Sequence, residues 1–121
     1  MLTTVDDAVW KALADPSRRR IVEVLEHSPA TTGEIITAFS DQLVRTAVMK
    51  HLDVLESAGL IQVERRGRQR WNRLRERPLQ NVSGWLLARI GHQQGNLRRL
   101  KALAENRRPQ STAKNKLRRL P

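Results

Sequence analysis

With 121 residues, 39% of them hydrophobic, the chain has the size of one globular domain, and one Phe, three Trp and no Tyr make its core aliphatic. The 23 Lys and Arg against 12 Asp and Glu leave a formal charge of +11, which favours a polyanionic partner, nucleic acid first. The absence of Cys excludes disulfides, thiolate metal sites and redox thiols within the chain, and no apolar run approaches the ~20 residues of a membrane span.

Met1 to Asp7 lacks the basic and apolar regions of a signal peptide, so a cytoplasmic location is expected. Val5, Ala8, Val9, Ala12 and Leu13 keep helical spacing and predict a short first helix ending near Ala14. Asp15-Pro16 restarts the chain: the carboxylate can accept from orphan amides and Pro fits the first helical position, so a second helix runs from Pro16 to about Glu26. Ile21, Val22 and Leu25 form its inner face. His27 to Ala30 breaks the pattern, and Thr31-Thr32-Gly33-Glu34 has the spacing of a capping box ahead of Ile35, Ile36 and Phe39 in a short third helix.

Ser40-Asp41-Gln42 turns into a fourth helix, so the third and fourth form a helix-turn-helix pair. Val44, Val48, Leu52 and Leu55 recur as an apolar stripe that is expected to pack inward, with Gly59 as the C-terminal cap. Arg45, Thr46, Met49 and Lys50 stand on the other face near its N-terminal end, where a major-groove helix presents groups to base edges and phosphates. Ile61 to Arg65 alternates like a strand, Arg66-Gly67-Arg68 can turn, and Gln69 to Leu74 can return antiparallel. From Pro78, the residues Leu79, Val82, Trp85, Leu86, Ile90, Leu97, Leu100 and Leu103 trace a helical stripe to about Ala104, weakened locally by Gly84, Gly91 and Gly95. The predicted fold is mainly α with a small β-hairpin, a winged helix-turn-helix of order α-α-α-α-β-β-α. Its domain covers residues 1–104. Residues 105–121 read as a basic disordered tail whose six cations, Arg107, Arg108, Lys114, Lys116, Arg118 and Arg119, meet no acidic side chain over 106–121.

Lys11-Ala12-Leu13-Ala14-Asp15-Pro16-Ser17-Arg18-Arg19-Arg20-Ile21, then Val48-Met49-Lys50-His51-Leu52-Asp53-Val54-Leu55-Glu56-Ser57-Ala58-Gly59-Leu60-Ile61, then Gly67-Arg68-Gln69-Arg70-Trp71 resembles the ArsR/SmtB-type winged-helix repressors over roughly residues 5–104. The Met-Lys-His-Leu wording and the Pro78 to Leu86 helix look most like a branch lacking the metal-binding cysteines. The resemblance implies a homodimer whose first and last helices form the subunit interface, and repression at a two-fold symmetric operator. Its interface residues would be Val5, Val9, Trp85, Leu86, Ile90 and Leu97.

Arg45, Thr46, Met49 and Lys50 are therefore the candidate base-reading residues, set against an ordinary solvated helix face, and double-stranded DNA is the expected partner. Arg65, Arg66, Arg68 and Arg70 exceed what edge-strand protection requires and suit phosphates or the minor groove. Arg18, Arg19 and Arg20 fit either a nearby anion or salt bridges to the acidic N-terminal segment. Trp71 fits an exposed wing position and a buried strand position equally well. His51, at the edge of the apolar stripe, has the setting of a packed or backbone-bonded His rather than a ligand. His27, His51 and His92 lie on different predicted elements without a second ligand at i+3 or i+4, so no metal site and no cofactor are predicted, and the inducing signal is left undefined. No catalytic constellation or phosphate-binding glycine loop is discernible, which argues against an enzyme. Two other classes suit the charge: an RNA-binding or ribosome-associated winged helix, which would read shape and single-stranded bases, and a protein-interaction module using the last helix.

Overall fold

The computed structural model describes residues 4–105. Asp15 and Thr31 start two of its helices by the means their sequence context suggests. The chain runs through α1 (Asp7–Ala14), α2 (Pro16–His27), β1 (Ala30–Thr31), α3 (Thr32–Ala38), α4 (Arg45–Ser57), β2 (Ile61–Arg66), β3 (Gln69–Leu74) and α5 (Glu76–Glu105). The Asp15 carboxylate accepts from the Arg18 amide at 3.1 Å, with Pro16 at the first helical position of α2. At α3 the capping box is complete: the Glu34 amide donates to Thr31 Oγ1 at 3.1 Å, and the Thr31 amide donates to Glu34 Oε1 at 2.8 Å.

The three strands form one antiparallel sheet in the order β1-β3-β2. The two-residue strand β1 is additional to the sequence reading; it carries no alternation, and its Thr31 doubles as the cap of α3. The hairpin turn is also tighter than expected. Arg66 pairs with Gln69, so Gly67-Arg68 alone makes the loop, with Gly67 at φ +62 as the first central residue of a type II′ turn.

Helix α4 ends in a Schellman motif. Gly59 takes φ +76, its amide donates to the Glu56 carbonyl at 2.9 Å, and the Leu60 amide donates to the Leu55 carbonyl at 3.0 Å. Leu55 and Leu60 are fully buried, the apolar contact that accompanies this cap. At the other end the sequence expectation fails. Val44 does not join Val48, Leu52 and Leu55 in the core; it is the N-cap residue, in extended conformation, and 70% exposed. Starting the helix at Arg45 places Val44 outside the helical period, so the stripe begins at Val48.

The described chain divides at Ser83–Gly84 into two compact units. The first holds the core: Val9 and Ala12 of α1, Ile21, Val22 and Leu25 of α2, Ile35 and Phe39, the α4 stripe, Leu60 and Ile61. Leu79 and Val82, in the first turns of α5, pack against this cluster. That helix begins two residues before Pro78, which is tolerated because first-turn amides have no intrahelical acceptor. The second unit contains the rest of α5, where Trp85, Leu86, Leu87, Ile90, Leu100 and Leu103 are all exposed. The helix is continuous through Gly84, Gly91 and Gly95. Apart from Glu105, which closes α5, the predicted tail lies outside the described residues.

Candidate nucleic-acid interface

The buried stripe of α4 fixes which side chains face away from the core. Arg45, Thr46 and Lys50 are exposed and Met49 is half-buried, all within the first two turns. Asp53 and Glu56 follow on the same side of the helix, so negative charge replaces positive in the third turn. The cationic part of the face is thereby confined to the N-terminal half.

The hairpin register divides the wing arginines. Arg65 lies directly opposite Arg70, on the sheet face that carries Ile61 and Val63 toward the core. Arg70 lines a small cleft with Met49, Asp53 and Glu56 of α4, so this face adjoins the proposed reading helix. Arg66 belongs to the outer face: its guanidinium pairs with Glu64 at 3.3 Å and lies 5.9 Å from the Trp71 ring centroid. Trp71 is half-buried on that outer face, beside Pro29, Gln62 and Arg73. Arg68 occupies the tip. Among the described residues, the side chains of Arg45, Lys50, Arg65, Arg68 and Arg70 make no hydrogen bond or ion pair.

Two oppositely placed arginines repel each other across a strand pair. An anion between or beside them removes the penalty, which is what a phosphate backbone offers. The wing is braced from beneath by Asn72, which is fully buried and donates from Nδ2 to the Ala30 carbonyl at 3.2 Å and to Thr32 Oγ1 at 3.1 Å. One side chain of β3 thus ties the hairpin to the start of α3.

These features match known proteins. Residues 13–64 match a helix-turn-helix domain family. The uncharacterised HTH-type transcriptional regulator YuzN of Bacillus subtilis (strain 168) is 40% identical over 86 residues, 66% of this chain and 94% of the relative. The transcriptional repressor SdpR of the same organism is 32% identical over 79 residues, 65% of this chain and 86% of the relative. Among solved structures, the ArsR family transcriptional regulator RHA00566 superposes with a TM-score of 0.66 at 31% identity, covering 73% of this chain and 89% of that one. The chain belongs to the ArsR/SmtB family of winged-helix regulators. A further structure, the homodimeric winged helix-turn-helix DNA-binding domain Mb0332 from Mycobacterium bovis, a possible ArsR-family regulator, gives a TM-score of 0.56 at 26% identity, covering 70% of this chain and 78% of that one. This ArsR-family chain is a DNA-binding transcriptional regulator.

Within that regulator the arginines of α2 take a third role, neither anion binding nor pairing with the acidic N-terminal segment. Arg18 donates from Nε to the Ala12 carbonyl at 2.7 Å and from Nη2 to the Lys11 carbonyl at 2.9 Å, and Arg19 donates to the Leu13 carbonyl at 2.7 Å. Three of the four orphan carbonyls of α1 are thereby satisfied by guanidinium groups at the negative end of its dipole. Arg20 donates to Gln42 Oε1 at 2.8 Å, holding the turn that leads into α4.

His51 packs at this junction. Arg18 Nη1 lies 3.3 Å from His51 Nδ1. Asp15 Oδ2 lies 4.0 Å from the same nitrogen, beyond hydrogen bonding. Partial desolvation pushes the Asp15 carboxyl upward, but the Arg18 amide, the charges of His51 and Arg18 and the Ser17 amide together hold it below its ordinary range. The Glu34 carboxyl is lowered by the Thr31 amide and hydroxyl against a smaller effect of burial. Among the described residues no group of three or more His, Asp or Glu could hold a metal ion.

The candidate dimer residues separate. Val9 is 4% exposed and belongs to the core, because the eight-residue α1 turns its apolar side inward, and Val5, ahead of that helix, is half-buried against the same core. Trp85, Leu86 and Ile90 are exposed, Leu97 is half-buried, and the Arg89 guanidinium lies 4.9 Å from the Trp85 ring centroid. No helix among the described residues is long and apolar enough to cross a membrane.

Proposed function

We propose that this regulator is a cytoplasmic homodimeric repressor, not an enzyme, which binds a two-fold symmetric operator and blocks transcription by occupying it. Arg45, Thr46, Met49 and Lys50 enter the major groove, and Arg65, Arg68 and Arg70 engage phosphates or the adjoining minor groove. Arg66, already held by Glu64 and Trp71, contributes less. The observation that carries this reading is the run of unpaired cations on α4 and the inner wing face, including two arginines forced opposite each other. The exposed stripe Trp85, Leu86 and Ile90 supplies apolar surface for a second copy, and a homodimeric relative and a repressor relative agree with that assembly and sign. The domain is assigned to residues 1–104 and the basic residues beyond it to sequence-independent phosphate contact.

The test is a titration of Arg45→Ala and Arg68→Ala against operator and scrambled duplexes at several salt concentrations. Arg45→Ala is expected to cost about 1–3 kcal/mol on the operator and to relax preference at one position per half-site. Arg68→Ala is expected to weaken both duplexes alike. Equal losses on both duplexes for Arg45→Ala would assign it to phosphate and leave base reading to Thr46 or Lys50.

A further inference from the structure

Among the described large hydrophobic side chains, Val44 is the most exposed, at 70%. It sits at the N-cap of α4 with φ −73 and ψ 158 and makes no side-chain cap bond. Asp15 and Thr31 show what this chain places at the caps of α2 and α3, and both accept an amide hydrogen bond. A valine there gives up capping without gaining burial, so neither local helix stability nor the core accounts for the residue type. It immediately precedes Arg45 and Thr46, at the end of the helix that a major groove receives first.

We propose that Val44 is a specificity-determining residue that reads the C5-methyl group of a thymine. Its side chain has no donor or acceptor, so hydrogen-bonded base readout is closed to it. The thymine methyl is the apolar group on the major-groove edges of the four bases. The β-branched side chain has few rotamers to lose, which keeps its two methyl groups in place as the helix enters the groove. This inference rests on the proposed seating of α4 in the major groove.

The experiment uses the full chain and an operator selected from random duplexes. Each thymine of a half-site is replaced singly by deoxyuridine, which removes the methyl and leaves pairing intact. Wild-type protein is expected to lose about four-fold in affinity at one thymine per half-site, the effect of one methyl group leaving an apolar contact. Val44→Ala is expected to bind the thymine and uracil duplexes alike at that position while keeping the wild-type response at other thymines. Val44→Ser supplies a capping hydroxyl, so it is expected to show the same insensitivity with thermal stability at or above wild type. Val44 variants that retain the full wild-type uracil profile overturn the proposal, as does an operator with no thymine adjacent to the position sensitive to Arg45→Ala. If Arg45→Ala leaves operator affinity unchanged, the seating of α4 fails; if it weakens binding while Val44→Ala keeps the uracil profile, the Val44 assignment alone fails.

Discussion

The opposed pair Arg65 and Arg70 makes a prediction in which stability and binding move in opposite directions. Directly paired residues on antiparallel strands hold their Cβ atoms about 4.5–5.5 Å apart, and like charges there destabilise by roughly 0.2–1 kcal/mol. Arg65→Gln keeps a polar, unbranched side chain of shorter reach and removes one charge. It is expected to stabilise the free protein by about 0.5 kcal/mol, which raises Tm by roughly 2–4 °C for a unit of ~100 residues. Salt gives an internal control: screening over ~3 Å at 1 M should erase most of the gain seen at 0.1 M. In the proposed DNA complex the same change is expected to remove one phosphate contact per subunit. The slope of log K against log salt should flatten by ~0.9 per subunit, or ~1.8 for a dimer. Thermal unfolding at two salt concentrations and duplex titration at several salt concentrations measure both sides. A lower Tm, or a salt slope equal to wild type, would refute the reasoning that these two arginines are held together for a phosphate.

Asn72→Ala removes two buried hydrogen bonds and the tie between β3 and the start of α3, and should cost about 2 kcal/mol in denaturant unfolding. Ile90→Glu puts a carboxylate into the exposed α5 stripe and should shift sedimentation from dimer to monomer at micromolar concentration, leaving the circular dichroism of the winged-helix unit unchanged. Acid should weaken the caps of α2 and α3. Because the Asp15 and Glu34 carboxyls are lowered in the folded protein, their stabilisation is intact above their ordinary values of 3.8 and 4.5 and is lost as pH falls through the folded values. In Asp15→Asn and Glu34→Gln together, the dependence of Tm on pH below about 5 should be shallower than in wild type.

The helical framework was legible because its signals are local. Asp15-Pro16, the Thr31 to Glu34 box and Gly59 act over three or four residues, and each produces the hydrogen bonds that its spacing implies. Val44 shows the limit of periodicity: it lies four residues before Val48, yet the helix starts one residue after it, so the spacing was right and the element boundary was not. Strand β1 was illegible for a different reason. Two residues cannot show alternation, and its pairing depends on Asn72, 42 residues away from Ala30. The roles of Arg18 and Arg19 were hidden likewise, since a triplet of arginines looks the same in sequence whether it meets phosphate or the carbonyls of the preceding helix.

That last distinction decides where the charge of +11 is available to a ligand. Arg18 and Arg19 spend their guanidinium groups on α1 carbonyls, Arg20 on Gln42 and Arg66 on Glu64, so the three arginines of α2 are already engaged in holding the fold. Arg45 and Lys50 in the first turns of α4, with Arg65, Arg68 and Arg70 in the hairpin, have no such partners among the described residues. The unpaired cations of α4 and the hairpin repel one another in the free protein and, in the proposed complex, are relieved on the duplex. On that proposal, binding gains twice from the same residues: counterions leave the phosphates, and the repulsion between Arg65 and Arg70 is relieved. Asn72 keeps that arrangement possible by fixing the wing to the helix-turn-helix while its arginines repel.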